Sequence, residues 1–212
     1  MKIFDSDPIC RYGLIYSPMK RIICCLLALT FVAVVSAQEN PLAKSSRGDW
    51  AKYLITTKNE TVPLMSGKDR PRWWAVSDVG EGFVRIDSYT MFGGSRVGAG
   101  GNLFYFKERF EPVPGLGKSA NVQVISTSKE KLTINSKEYD CTKIVRKIDQ
   151  PLDESNVQSS WSGTSALWIC DEFPLGLAKM ENAYQTKMSK SDNGQKIIET
   201  WVIAEFGFKN WK

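Results

Sequence analysis

From residue 48 to residue 206 no stretch sustains an apolar period of 3.6 residues. The chain reads instead as short runs of β-branched and aromatic residues that alternate in polarity, parted by Gly, Asn, Asp and Pro. Such a sequence cannot build a helical layer, so strands must supply the core. Ten runs qualify: residues 48–57, 70–78, 82–93, 102–110, 120–128, 130–135, 138–148, 164–171, 177–189 and 195–206. Asn135-Ser136-Lys137 and Asp192-Asn193-Gly194 fit hairpin turns, because Asn and Gly tolerate the positive φ these turns need. The expectation is an all-β fold: an antiparallel meander of about ten strands forming a strongly curved sheet or open barrel. Little helix is expected, with at most a short one near residues 41–47.

Alternation assigns faces. In LFYFKERF one face presents Phe104, Phe106 and Phe110; in QKIIETWVIAEF one face presents Ile198, Val202, Ala204 and Phe206. Both are predicted to be core. The other face of the last strand mixes Ile197, Trp201 and Ile203 with Glu199 and Glu205, which predicts cover on both sides or a cavity wall. Trp73 and Trp74 are adjacent, so a single core buries only one of them.

Residues 19–37, MKRIICCLLALTFVAVVSA, combine a basic start, an apolar stretch and a small-residue end at Val35-Ser36-Ala37. The uninterrupted part, residues 22–37, has 16 residues, whereas a membrane span needs about 20. This reads as a signal peptide cleaved before Gln38, with Met19 a plausible true start and no stable membrane span after cleavage. Residues 1–37 are set apart as the signal region, and residues 38–212 as a single β-rich domain in the periplasm or outside the cell.

What is missing excludes whole chemistries. There is no histidine, which removes Ser-His-Asp and Cys-His catalysis in their usual forms and histidine-ligated metals. After residue 37 only Cys141 and Cys170 remain, too few for a thiolate metal site; no metal and no cofactor is expected. Residues 38–212 carry 24 basic and 21 acidic residues, net +3 and scattered, with no basic run to follow a nucleic acid. The glycine-rich GGSRVGAGGN (93–102) lacks a Gly-Lys-Ser/Thr ending and precedes a strand, so it reads as a flexible hairpin loop rather than a phosphate cradle. Asn59-Glu60-Thr61 matches a glycosylation sequon.

The two cysteines lie on candidate strands EYDCTKIVRKI and TSALWICD, joined by the polar, turn-rich DQPLDESNVQSSWSG. Setting Cys141 opposite Cys170 requires paired residue numbers to total 311, which centres the hairpin in that loop. Opposed residues bring their Cβ atoms to about 4.5–5.5 Å, near disulfide geometry. In an oxidising compartment a structural disulfide between Cys141 and Cys170 is therefore expected. Pro174 and Gly176 then turn the chain into the next strand.

A resemblance attaches to these residues. Gly48-Asp49-Trp50 with Tyr53, Tyr139-Asp140-Cys141, and Trp168-Ile169 with Pro174, Gly176 and Lys179 together resemble a family of secreted bacterial proteins of unassigned role. Some of these are similar to the lipoprotein-carrier type of fold, a strongly curved antiparallel sheet around an apolar cavity. The resemblance implies a lipid or lipopeptide ligand. Such carriers pack helices into the concave side, and this chain has little helix to offer.

Several functions compete. The first is an exported, non-enzymatic protein binding an apolar or amphipathic envelope ligand, for which Trp161, Trp201, Phe104 and Phe106 are the candidate binding residues. The second is a carbohydrate or envelope-polymer module; all seven tryptophans follow residue 37, and Trp161 in its loop is the best exposed platform. The third is a carboxylate-dependent hydrolase drawing on Asp171, Glu172, Glu199 or Glu205. A fourth is an envelope protein that binds only protein partners.

Overall fold

The structure is a computed structural model that describes residues 40–92, 95–113, 116–117, 119–153 and 159–209. Residues 1–37, the signal region read from the sequence, lie outside these, as does the middle of the loop before Trp161. The described residues fall within one compact unit, Glu39–Lys212, and contain no helix long and apolar enough to cross a membrane.

Among the described residues, nine strands form one open antiparallel sheet: β1 (Trp50–Asn59), β2 (Gly67–Gly80), β3 (Phe83–Phe92), β4 (Ser95–Tyr105), β5 (Asn121–Ile134), β6 (Lys137–Gln150), β7 (Trp161–Ile169), β8 (Leu177–Thr186) and β9 (Gln195–Gly207). Their spatial order is β4-β3-β2-β1-β9-β8-β7-β6-β5. The first four strands run outward from the centre and the last five return to it, so β1 and β9 are neighbours. This is the all-β meander expected, with one strand fewer. Runs 120–128 and 130–135 are one strand, because Lys129 points to solvent and donates to Thr142 Oγ1 (2.7 Å). An exposed charge on an edge strand need not break it.

The glycine-rich stretch is a second correction. β4 begins at Ser95, so most of the predicted loop is ladder. Its glycines make room for side chains of β3: a Cβ on Gly101 would come within 2.3 Å of Asp87 Oδ1 and 2.2 Å of Arg85 Nε. The Asn59 sequon is likewise occupied from within. Asn59 is buried, accepts from the N–H groups of Thr61 and Val62, and donates to Gln195 Oε1 (2.8 Å), closing the end of β1.

The sheet curls strongly. Asn135 and Ser136, both at positive φ, form the turn between β5 and β6. The Asn135 side chain donates to the Ala204 carbonyl of β9 at 2.9 Å. β6 and β9 lie three places apart in the sheet, about 14 Å if it were flat. At the open side, residues 106–120 link edge strand β4 to edge strand β5. Phe110 and Val113 of this segment are buried in the core, and Gly117 N donates to Gln150 Oε1 on β6 (2.7 Å). Asn40, which also starts the 3₁₀ turn Pro41–Lys44, donates to the carbonyls of Tyr105 and Glu108 and holds the segment's start.

The core lies on the inner face. Tyr53, Trp74 and Trp201 meet with ring centroids 5.3–5.9 Å apart, and the Tyr53 hydroxyl donates to the Leu177 carbonyl. Leu167, Met180 and Ile148 continue it under β6–β8. Each large apolar side chain buried here contributes about 2 kcal/mol. Of the adjacent pair, Trp74 is buried, while Trp73 is half-exposed beneath the Lys52 ammonium.

β9 shows the opposite face inward from that predicted. Trp201 and Ile203 are 2% and 1% exposed, whereas Ile198 and Phe206 are 42% and 36% exposed. The apolar tally misleads because Glu199 is tolerated inside, its carboxylate accepting from Trp201 Nε1. A bulge between Ile203 and Glu205, opposite Lys52 and Tyr53, also breaks the alternation. Past the bulge Phe206 pairs with Ala51, on the face of Tyr53, and packs edge-on against Phe173 at 5.0 Å.

Candidate functional site

The cysteine strands pair as the sequence requires. Thr142 faces Ile169 and Lys143 faces Trp168, the register that brings Cys141 level with Cys170. The disulfide itself is not present: both residues are free, buried cysteines. The ladder ends one pair short of them, because Cys170 N–H turns away to donate to the Gly176 carbonyl (2.7 Å) and Gly176 takes a positive φ into β8. Burial, then the neighbouring Cys170, pushes the Cys141 thiol up to about 12, and burial raises Cys170 too. These are inert thiols.

The four candidate binding residues separate. Trp161 is not in a loop; it opens β7, is 5% exposed, and stacks on Tyr184 at 4.7 Å. The sugar platform loses its best tryptophan, because the ring closes the core at the sheet's end. Phe106 packs half-buried against the core after β4 has ended. Phe104 and Trp201 are brought together in a cleft.

This cleft, about 620 Å³, lies on the inner face between β2, β3, β4, Trp201 of β9 and the covering segment. Its apolar walls are Trp74, Trp201, Phe104, Val113 and Leu116; its polar groups include Arg72, Ser88, Glu108, Arg109 and Glu111. Arg72 and Trp74 are two residues apart on β2, hence on one face, and Trp74 pairs with Ser88 of β3. The Arg72 guanidinium lies over the Trp201 ring, 5.9 Å from its centroid.

The covering segment is locked by charge. Arg146 of β6, only 2% exposed, donates through Nη1 and Nη2 to the two Glu111 oxygens (2.9 and 3.1 Å) and through Nη2 to Ser165 Oγ (3.1 Å). Glu111 also accepts from Val113 N–H and lies 3.7 Å from Arg109 Nε. Arg146 begins a polar row that crosses the inner face through Ser165 and Asn182 to Glu199, each paired with the next across the ladder. Burial holds the Glu199 carboxyl above the ordinary carboxylate range, against the lowering effect of Trp201 and Arg72.

The acids considered for hydrolysis do not converge. Asp171 pairs with Lys44, Glu172 with Lys137 and Glu205 with Lys52, all as surface ion pairs, whereas Glu199 is inside. Among the described residues no cluster of three or more Cys, Asp or Glu side chains is arranged to hold a metal ion.

Arg72, Ser88, Glu111 and Leu116 were not among the residues singled out from the sequence. Arg72 was within reach: in RPRWW it alternates onto the Trp74 face. The others join the cleft only through strand order and the path of the linking segment.

No protein-family model matches the chain, and no curated relative matches it. Among solved structures, a candidate lipoprotein from Parabacteroides distasonis is 11% identical with a TM-score of 0.40, over 77% of this chain and 96% of that one. A candidate exported protein with a YmcC-like fold from Bacteroides fragilis is 11% identical with a TM-score of 0.37, over 77% of this chain and 97% of that one. Likeness at this level assigns this chain neither a family nor a function.

Proposed function

We propose that the chain is an exported, non-enzymatic binding protein for an amphipathic ligand of the cell envelope, held in the inner-face cleft. The cleft carries the reading. Its volume of about 620 Å³ sits within the roughly 300–1,000 Å³ of small-molecule sites, which join apolar walls to a few polar groups. Trp74, Trp201 and Phe104 offer flat apolar surface, while Arg72 and Ser88 offer the polar contacts. Export rests on residues 19–37. The resemblance to lipoprotein-carrier folds agrees with this reading, although the inner face here is covered by an extended segment rather than helices.

Mass spectrometry of protein exported by its own signal tests both parts. The expected N-terminus is Gln38, and the expected native spectrum carries a small-molecule adduct that denaturation removes. A ligand-free native mass, together with no binding of an amphipathic dye displaced by filling the cleft with Leu116→Trp, would overturn the binding reading.

A further inference from the structure

Two polar groups in the cleft lack partners of their own kind. Ser88 is 6% exposed, and its Oγ makes no hydrogen bond among the described residues. A buried hydroxyl left unsatisfied is unfavourable, and a ligand that accepts from it removes that cost. Arg72 makes no hydrogen bond and no ion pair among the described residues; its contact is the Trp201 ring face. No carboxylate hydrogen-bonds to it. Glu111 is committed to Arg146 and Arg109, Glu108 is exposed, and Glu199, which does not line the cleft, feels the Arg72 charge while accepting its hydrogen bond from Trp201 Nε1.

Arg72 and Ser88 are also placed to act together. Ser88 stands directly opposite Trp74, and Arg72 is two residues from Trp74 on the same face. They are therefore diagonal cross-strand neighbours, with Cα atoms about 7–8 Å apart. An oxyanion between them would receive a hydrogen bond from the serine hydroxyl and charge-assisted bonds from the guanidinium. The ring of Trp201 fixes the guanidinium plane in advance, so little freedom is lost on binding. The apolar walls begin on either side of this pair.

We infer that Arg72 and Ser88 form an anion-recognition point, and that the ligand is an amphipath whose apolar body lies along Trp74, Trp201 and Phe104 and whose head bears a carboxylate or phosphate. This inference rests on the binding function proposed above and names the ligand's chemistry. Lone inorganic anions are a poorer fit, because they would leave the aromatic walls uncovered.

The test is calorimetric titration of the chain from residue 38 with decanoate, decyl phosphate, decanol, decyltrimethylammonium and inorganic phosphate. The two decyl acids should bind at least about tenfold more tightly than decanol, the ratio equivalent to one charge-assisted contact of about 1.4 kcal/mol. Decyltrimethylammonium should bind more weakly than decanol, and inorganic phosphate more weakly than decyl phosphate. Arg72→Gln should abolish the preference for acids, and Ser88→Ala should reduce that preference. The ligand series on the unaltered chain decides the matter even if a variant folds poorly. Equal affinity for decanol and decanoate would overturn the anion point while leaving the binding function intact. Equal affinity for inorganic and decyl phosphate would overturn the amphipath. No binding of any decyl compound would overturn both.

Discussion

The inner face of this sheet has two halves that solve the same problem differently. Under β6–β8, apolar residues of adjacent strands meet one another: Ile144 pairs with Leu167 and Leu167 with Met180. That half is closed by these apolar pairs together with the buried row Arg146, Ser165 and Asn182, onto which Glu111 of the linking segment is pinned. Under β2–β4 the strands carry Arg72, Ser88 and Asn102 among the aromatics, and the cover is the linking segment. A strand placed in a ladder has its side-chain spacing set by its neighbours, whereas a segment is held only where something pins it. Here the pins are Phe110, Glu111, Val113 and Gly117, and the cleft is what they leave unfilled. The difference shows how one sheet with one hydrophobic face provides both a core and a cavity.

The largest expected effect lies at the seam between the halves. Arg146→Ala leaves Glu111 without its buried partner, and losing one member of a buried pair costs about 3–5 kcal/mol. A fall in melting temperature of roughly 6–20 °C is expected, taking about 2–4 °C per kcal/mol. Arg146→Met combined with Glu111→Leu should recover most of it. If the single variant melts with the parent, the lock is not holding the segment.

The next effect contrasts the halves directly. Met180→Ala should cost about 2–5 kcal/mol by opening a hole in a sealed core. Phe104→Ala, on a wall already open to the cleft, should cost less in denaturant midpoint but more in ligand affinity. Equal midpoints for the two would erase the distinction between sealed and open halves.

Thiol chemistry measures how closed the β6–β7 end is. With burial pushing Cys141 up to about 12, neither thiol should react with an aromatic disulfide reagent at pH 8 in the native state. Both should react after denaturation. Cys141→Ser should lower the melting temperature without loss of fold, since a buried hydroxyl in place of a thiol costs about 1–3 kcal/mol when unpaired. Prompt native labelling would show that this end opens.

The smallest effect concerns Glu199. Its folded pKa is raised above the ordinary 4.5 by burial, so the native state holds a proton that the unfolded chain releases. Stability from this group therefore falls as pH rises from 4.5 through the raised value, and is level above it. Glu199→Gln should raise the melting temperature at pH 7 and have less effect near pH 4. An equal gain at both pH values would assign the change to packing instead of charge.

The sequence by itself determined much of this protein. The period-two runs placed eight of the nine strands and only the end of β4, Asn135-Ser136 placed a turn that needs positive φ, and the lengths flanking the β6–β7 loop set the register that brings Cys141 level with Cys170. The absence of histidine removed whole chemistries. These signals are short-range: alternation and turn preference act within a few residues or across one hairpin. Which face of β9 turns inward, whether Trp161 is exposed, and whether the two thiols join were decided by tertiary structure. A bulge, a stack on Tyr184 and a backbone bond to Gly176 settled them. The cleft, too, belongs to the tertiary structure. It draws Arg72, Ser88, Phe104, Leu116 and Trp201 from four strands and a linking segment. Only the pairing of the chain's first and last strands, together with the curl of the sheet, brings such distant residues to one place.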